Sequence, residues 1–410
     1  MHVNAPSPDV SHPKLGEPQF QSHSWVEPII VISIMVGSLV INRRRNFCIW
    51  EKQRTWETED QVNGSPPYFP LVATDCSSQY QPNPREGRIV CGVFIKNLDS
   101  SRWAHHIHSR VMQKFPFLVE MFYWAINYLF YSITKATSQW LSPASIGIVQ
   151  VAQDHGISIM NFEHRSIFRF IFAIEEVEFQ AFFVNNHPAV MTFFNRVYSL
   201  IHIPGSVLFL SWYYHAAPDH NTFSIVRRTM TLGNFAAFLT FCIYPCMPPR
   251  LLPKSYRFYD TVRQEQAESI WVSGKSVNQF AAMPSLHFTY AFVIGWTFIH
   301  HSGVLRLLRG RKSNKPLSTQ ILFVSLAIVY PCIVLSVIVA TANHYWLDAV
   351  CAMLTVTACF AGNRVLLMLL PVEFGICWAL KISKPTPSTG YLTNKDYRRR
   401  GRAQSFQFGV

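Results

Sequence analysis

Long apolar stretches alternate along the chain with polar connections rimmed by basic residues. Trp25 to Ile41 is apolar apart from Glu27 and Pro28 and ends against Arg43-Arg44-Arg45. Its uninterrupted part is shorter than the roughly 20 residues a bilayer crossing needs, so it is a candidate span only. Phe115 to Ile133 predicts a span with aromatic residues at both ends, where interfacial anchors sit. Further spans are predicted over Tyr198–Tyr214, Leu232–Tyr244 (stopped by Pro245, Pro248 and Pro249), Pro284–Ile299, Ile321–Ala340 and Leu347–Leu370. Between Ser138 and His187 apolar positions recur among Glu163, His164, Arg165, Arg169, Glu175, Glu176 and Glu178. That pattern predicts amphipathic helices, lying in the membrane interface or packed within the bundle. The expected fold is all-α: a polytopic transmembrane helix bundle of about six to seven spans with interfacial amphipathic helices.

The polar stretches complete the organisation. Residues 1–24 predict a disordered extension, 25–41 the candidate transmembrane helix, 42–114 a cytosolic loop or insert, 115–371 the membrane domain and 372–410 a basic cytosolic tail. In the insert Pro66, Pro67, Pro70, Pro82 and Pro84 oppose long helices, and Asn63-Gly64-Ser65 is a glycosylation acceptor only if that loop is lumenal. His105-His106-x-His108 reads as part of the same solvated loop rather than as a metal site.

Composition sharpens the class. With 49% hydrophobic and only 14% charged residues in 410, the chain reads as a membrane protein rather than two or three soluble domains. The net charge of +13 sits in short clusters beside the apolar runs, which marks cytosolic flanks and excludes a nucleic-acid stripe. Nine cysteines are scattered with no Cys-x-x-Cys pair, so they predict buried hydrophobes, not a disulfide framework or zinc site.

Two stretches at the ends of apolar runs carry the chemistry: Ala281-Ala282-Met283-Pro284-Ser285-Leu286-His287 and Asn343-His344-Tyr345-Trp346-Leu347-Asp348. A histidine at membrane depth is costly unless used, although one alone also serves to satisfy a helix end. His344 and Asp348 stand four apart and meet on one helical face. A carboxylate on one imidazole nitrogen fixes the tautomer and raises the basicity of the other, which suits a histidine attacking phosphorus. His287 then protonates the leaving oxygen. Placing Arg43–Arg45, Arg227-Arg228, the Arg306–Lys312 loop and the tail in the cytosol puts Arg250, His287 and His344 together on the opposite, lumenal or extracellular, face. Tyr198 and His202 fall on that face too, as site lining or as packing.

Pro284-Ser285-Leu286-His287 and His344 with Asp348 resemble the second and third signature motifs of the type 2 phosphatidic acid phosphatase superfamily. The surroundings resemble its inositol phosphorylceramide synthase and inositolphosphotransferase-like branch. The matching pieces are Asn195-Arg196-Val197-Tyr198, His202-Ile203-Pro204, Pro248 to Pro253, Phe258 to Val262, Ala281 to His287 and Asn343 to Asp348, within roughly residues 150–370. The resemblance implies His344 as nucleophile through a phosphohistidine, Asp348 as its orienting partner, His287 as general acid and Ser285 as a donor to a phosphate oxygen. It implies no metal and no cofactor. Two positions depart from the pattern. Val337 to Ala342 carries no Ser-Arg before the histidine, and Leu286 replaces a common glycine. Phosphate charge is therefore expected to fall to Arg250, with Lys254 a weaker candidate and Asn343 a neutral donor.

The implied function is a metal-independent lipid phosphate phosphatase or phosphotransferase, like inositol phosphorylceramide synthase, in an endomembrane (Golgi or endoplasmic reticulum) with its site facing the lumen. Its partners are the bilayer and a lipid with a phosphate or phosphoinositol headgroup. Two alternatives stand beside it: a phosphatase for isoprenyl diphosphate or sphingoid-base phosphate, and a non-catalytic lipid-binding or transport membrane protein.

Overall fold

A computed structural model describes residues 25–45, 47–50, 88–90, 93–141, 146–165, 167, 170–264, 279–313 and 315–395. The expected disordered extension, the Asn63 sequon, much of the connection before Phe280 and the end of the tail lie outside the described residues. In chain order the helices are α1 (Val26–Ile41), α2 (Ile107–Lys114), α3 (Phe117–Leu141), α4 (Ile146–Glu163), α5 (Glu176–Asn186), α6 (Pro188–Ala216), α7 (His220–Ile243) and α8 (Thr261–Gln264). They continue as α9 (Leu286–Ser302), α10 (Val304–Leu308), α11 (Leu317–Ala340), α12 (Trp346–Gly362) and α13 (Leu370–Ala379). Among the described residues the only sheet is a two-stranded antiparallel ribbon, β1 (Arg88–Val90) with β2 (Val93–Ile95). The protein is thus mostly helical, as its apolar periodicity predicts.

Among the described residues two helices are long and apolar enough to cross a membrane: Leu317–Ala340, of mean hydropathy 2.7, and the continuous stretch Trp346–Ala379, of mean hydropathy 1.7. Only 17% of each apolar window is buried, whereas the core helix of a soluble protein would be mostly covered. The sequence predicted about six to seven spans, and that number is not reached among the described residues. Helix α9 has 17 residues and α1 has 16, each short of a full crossing. Helices α6 and α7 extend past the apolar cores read from sequence into polar flanks. Arg227 and Arg228, expected at the end of a polar turn, consequently lie within α7.

The described chain divides into two compact units. The first comprises Met1–Met35, Trp124–Tyr213 and Ser224–Arg364. Its centre is the seam of α9 with α11 and α12, lined by Phe288, Ala291, Val334, Ile338, Val339, Ala349 and Ala352. Small residues bring these helices close, the usual device where lipid removes the hydrophobic drive between helices. At Gly295 an added Cβ would stand 2.8 Å from the Ala327 carbonyl oxygen and 2.9 Å from Pro331. A second cluster joins α4 to the turns beyond α7 through Ala152, Ile159, Cys246, Met247, Leu251, Leu252, Ala282 and Tyr345. Helix α9 starts where Ser285 Oγ accepts the Phe288 amide and stops at Gly303, whose φ of 86° favours glycine.

The second unit comprises Val36–Tyr123, Tyr214–Phe223 and Val365–Val410. It gathers part of the expected insert and tail into ordered contacts. Trp103 packs edge-on to Trp378 with ring centroids 5.9 Å apart, and the Ser383 amide donates to Ser109 Oγ at 2.9 Å. His108 Nε2 donates to the Lys381 carbonyl at 2.8 Å, and the His106 carbonyl accepts the Arg110 amide at 3.0 Å where α2 begins. Among the described residues no three His, Cys, Asp or Glu side chains converge to hold a metal ion.

Candidate active site

Three segments of the first unit meet at the candidate site: 246–252, 280–287 and 340–348. The Cys246 amide donates to Phe280 O at 2.8 Å and the Ala282 amide to Cys246 O at 3.2 Å, so the first two run side by side. The third is tied in by the Arg250 amide donating to Ala342 O at 2.9 Å and the Ser285 amide donating to Asp348 O at 3.3 Å. Ala342 adopts φ 52°, a left-handed conformation costing a non-glycine residue roughly 1–2 kcal/mol. That strain ends α11 and turns the chain into His344, whose amide donates back to Ile338 O at 3.2 Å.

His344 is buried, 4% exposed, and its Nδ1 makes two bonds. The shorter, 2.8 Å, runs to the Ala282 carbonyl, and the longer, 3.3 Å, to Asp348 Oδ2. A carbonyl oxygen only accepts, so Nδ1 carries a hydrogen, and in the neutral imidazole it is Nε2 that keeps the lone pair. This is the tautomer a nucleophilic imidazole needs. The Ala282 carbonyl is therefore its nearer orienting partner, a role no side-chain motif announces. Asp348 divides its work, since the same Oδ2 accepts the Tyr345 amide at 2.9 Å and so caps α12.

His287 sits in the first turn of α9 with its ring 5.8 Å from that of His344, at an interplanar angle of 60°. Tyr198 of α6 stacks on the His287 ring at 4.4 Å and 20°. Arg250 points its fork into the same neighbourhood. Its Nε donates to Asn343 Oδ1 at 2.7 Å and its Nη1 to Asp260 Oδ2 at 2.9 Å. Asn343 spends its amide hydrogens on Thr341, at 2.9 Å to Oγ1, so it orients the guanidinium from the residue next to His344.

Asp260 was legible in sequence only as part of the Phe258 to Val262 match, without a role. The structure fixes it from both sides. Gln180 of α5 is fully buried and bonds Tyr259 twice, donating to its carbonyl and accepting from its amide, each at 2.9 Å. Thr261 Oγ1 donates to Asn195 Oδ1 at 2.9 Å. Asp260 thus holds the arginine in place and also cancels part of its charge.

The remaining expected residues divide. Ser285 is fully buried at the start of α9, beside His287, and its Oγ accepts the Phe288 amide at 3.3 Å. Lys254 is exposed on the turn Lys254–Tyr256. His202 falls within α6, and its side chain lies outside the described residues.

The family model of the PAP2 superfamily matches residues 158–310. This supports the superfamily. The match covers under half of the chain, takes in Arg250, Ser285 and His287, stops before His344 and Asp348, and does not single out a branch. Superfamily members are phosphoesterases or phosphotransferases, which supports an enzyme of that general kind. No curated protein and no solved structure matches the chain.

Proposed function

We propose that the protein is an integral, multi-pass membrane enzyme that cleaves or transfers a phospho-group on a lipid through a phosphohistidine at the lumenal face. The observation that carries this reading is the tautomer of His344: Nδ1–H is held by a backbone carbonyl and a carboxylate, leaving Nε2 as the free nucleophile beside a second imidazole. In the first step Nε2 attacks phosphorus and the bond to the leaving alcohol breaks, its oxygen taking a proton from His287. In the second, His287 takes a proton from water or from an acceptor alcohol, whose oxygen attacks the phosphohistidine and frees His344. Arg250, oriented by Asn343 and Asp260, meets the charge that builds on the phosphoryl oxygens, with Ser285 as a further donor.

Two acceptors define two versions of the reaction. Water makes the protein a phosphatase for phosphatidate, sphingoid-base phosphate or isoprenyl diphosphate. A ceramide hydroxyl makes it a headgroup transferase resembling inositol phosphorylceramide synthase. Membranes containing the protein, given a panel of labelled lipid phosphates and phosphoinositides, are expected to release free phosphate or pass the headgroup to an acceptor lipid. His344→Ala should remove either product. Product formation unchanged in that variant overturns the mechanism.

A further inference from the structure

The first turn of α12 follows His344 directly, and the amides opening a helix have no partners within it. Here three consecutive amides are each met by a carboxyl group. Tyr345 N donates to Asp348 Oδ2 at 2.9 Å, Trp346 N to Glu176 Oε1 at 3.4 Å and Leu347 N to Glu163 Oε1 at 2.6 Å. The last two acids come from α5 and α4, and the phosphoryl chemistry uses neither. Both are buried, at 0% exposure for Glu163 and 1% for Glu176. Two acids are rarely buried side by side without a proton or partner between them.

The partners on the far side of the pair are unequal. His164 Nε2 stands 3.5 Å from Glu176 Oε2, while Glu163 Oε2 is buried with no hydrogen-bond partner among the described residues unless a proton links it to Glu176. Burial, and next the Glu176 carboxyl beside it, holds the Glu163 carboxyl well above the usual range. With His164 beside Glu176 and no other partner for Glu163 Oε2 among the described residues, the geometry places the shared proton on Glu163.

We propose that Glu163 and Glu176 form a one-proton carboxyl pair that clamps the first turn of α12 and so acts as the positioning element for His344. Glu163 Oε1 accepts the Leu347 amide, its acid hydrogen is donated to Glu176, and Glu176 accepts the Trp346 amide. The backbone of residues 345–347 is thereby fixed from two neighbouring helices. This inference rests on His344 as nucleophile for its effect on turnover, but the clamp itself is readable without turnover.

Glutamine is a neutral replica of a protonated glutamate, able both to accept from Leu347 and to donate to Glu176. Glu163→Gln is thus expected to keep kcat within about threefold of the native enzyme, whereas Glu163→Ala should lower kcat at least tenfold with KM nearly unchanged. Glu176→Gln, which removes the carboxyl group facing His164, should fall between them. Hydrogen exchange over residues 344–348, read in the same full-length proteins, should quicken in Glu163→Ala and stay native in Glu163→Gln. If Glu163→Ala does not fold, the ordering of the two glutamine variants by both readouts decides the matter. Exchange unchanged in Glu163→Ala, or Glu163→Gln as damaged as Glu176→Gln, overturns the clamp. Native turnover that proves independent of His344, with the exchange pattern as expected, overturns the proposed function and leaves the clamp standing.

Discussion

At the residue scale the proposed chemistry turns on which nitrogen of His344 bears the hydrogen, and the Ala282 carbonyl places it on Nδ1 as the nearer of two acceptors. Asp348→Asn should therefore lower kcat less than His344→Ala, because the carbonyl still holds the tautomer. A side-by-side kinetic comparison of the two variants checks this, and equal losses would assign the orienting role to Asp348 alone. Arg250 binds Asn343 through Nε and Asp260 through Nη1, a pattern only a guanidinium can supply. Arg250→Lys keeps the charge but loses the fork, so kcat/KM should fall about 100-fold, the usual effect of removing one transition-state donor. The meeting of His344 with Asp348 was legible because a four-residue spacing marks it, and His287 was singled out by its motif and lies beside His344. The Ala282 carbonyl was not, since a backbone oxygen has no sequence signature. The part played by Asp260 was hidden for a different reason: its partner lies ten residues away across two turns whose geometry no periodicity encodes.

At the scale of elements, the site is as rigid as the packing of α4, α9, α11 and α12 around it. At Gly156 of α4 an added Cβ would lie 2.7 Å from the Tyr345 hydroxyl and 2.8 Å from Met247 O. Those two atoms are themselves bonded at 2.9 Å, and Tyr345 adjoins His344. Gly156→Ala should displace that bond and destabilise the protein by about 1–3 kcal/mol, the usual cost of overpacking. The check is a lower melting temperature in detergent, with activity lost in proportion to the displaced Tyr345. Helix existence was readable from apolar periodicity, and α9, α11 and α12 start within a few residues of the expected positions. The length of α6 and α7 was not. Their polar flanks are recruited into helix by packing, as when Arg228 donates to Ser224 Oγ at 3.0 Å and to Asn363 at 3.3 Å.

At the scale of the whole molecule, composition pointed to a membrane protein, and among the described residues two helices carry the length and hydropathy to cross a bilayer. The proposed topology places Lys254, exposed near Arg250, outside the cytosol and the Arg306–Lys312 loop within it. In sealed vesicles of known orientation, Lys254→Cys should react with an impermeant maleimide from the non-cytosolic side and Arg311→Cys from the cytosolic side. Both reacting from one side would contradict that arrangement. The substrate class was not legible at this scale, because an acceptor alcohol and water differ in how a pocket is shaped and dried, not in which histidines are present. The most direct test of the central claim is rapid quenching at alkaline pH of the enzyme with phosphorus-labelled lipid substrate, followed by mapping of the labelled peptide. Label retained on His344, acid-labile and absent from His344→Ala, is the expected result; turnover with no label at His344 would contradict the account.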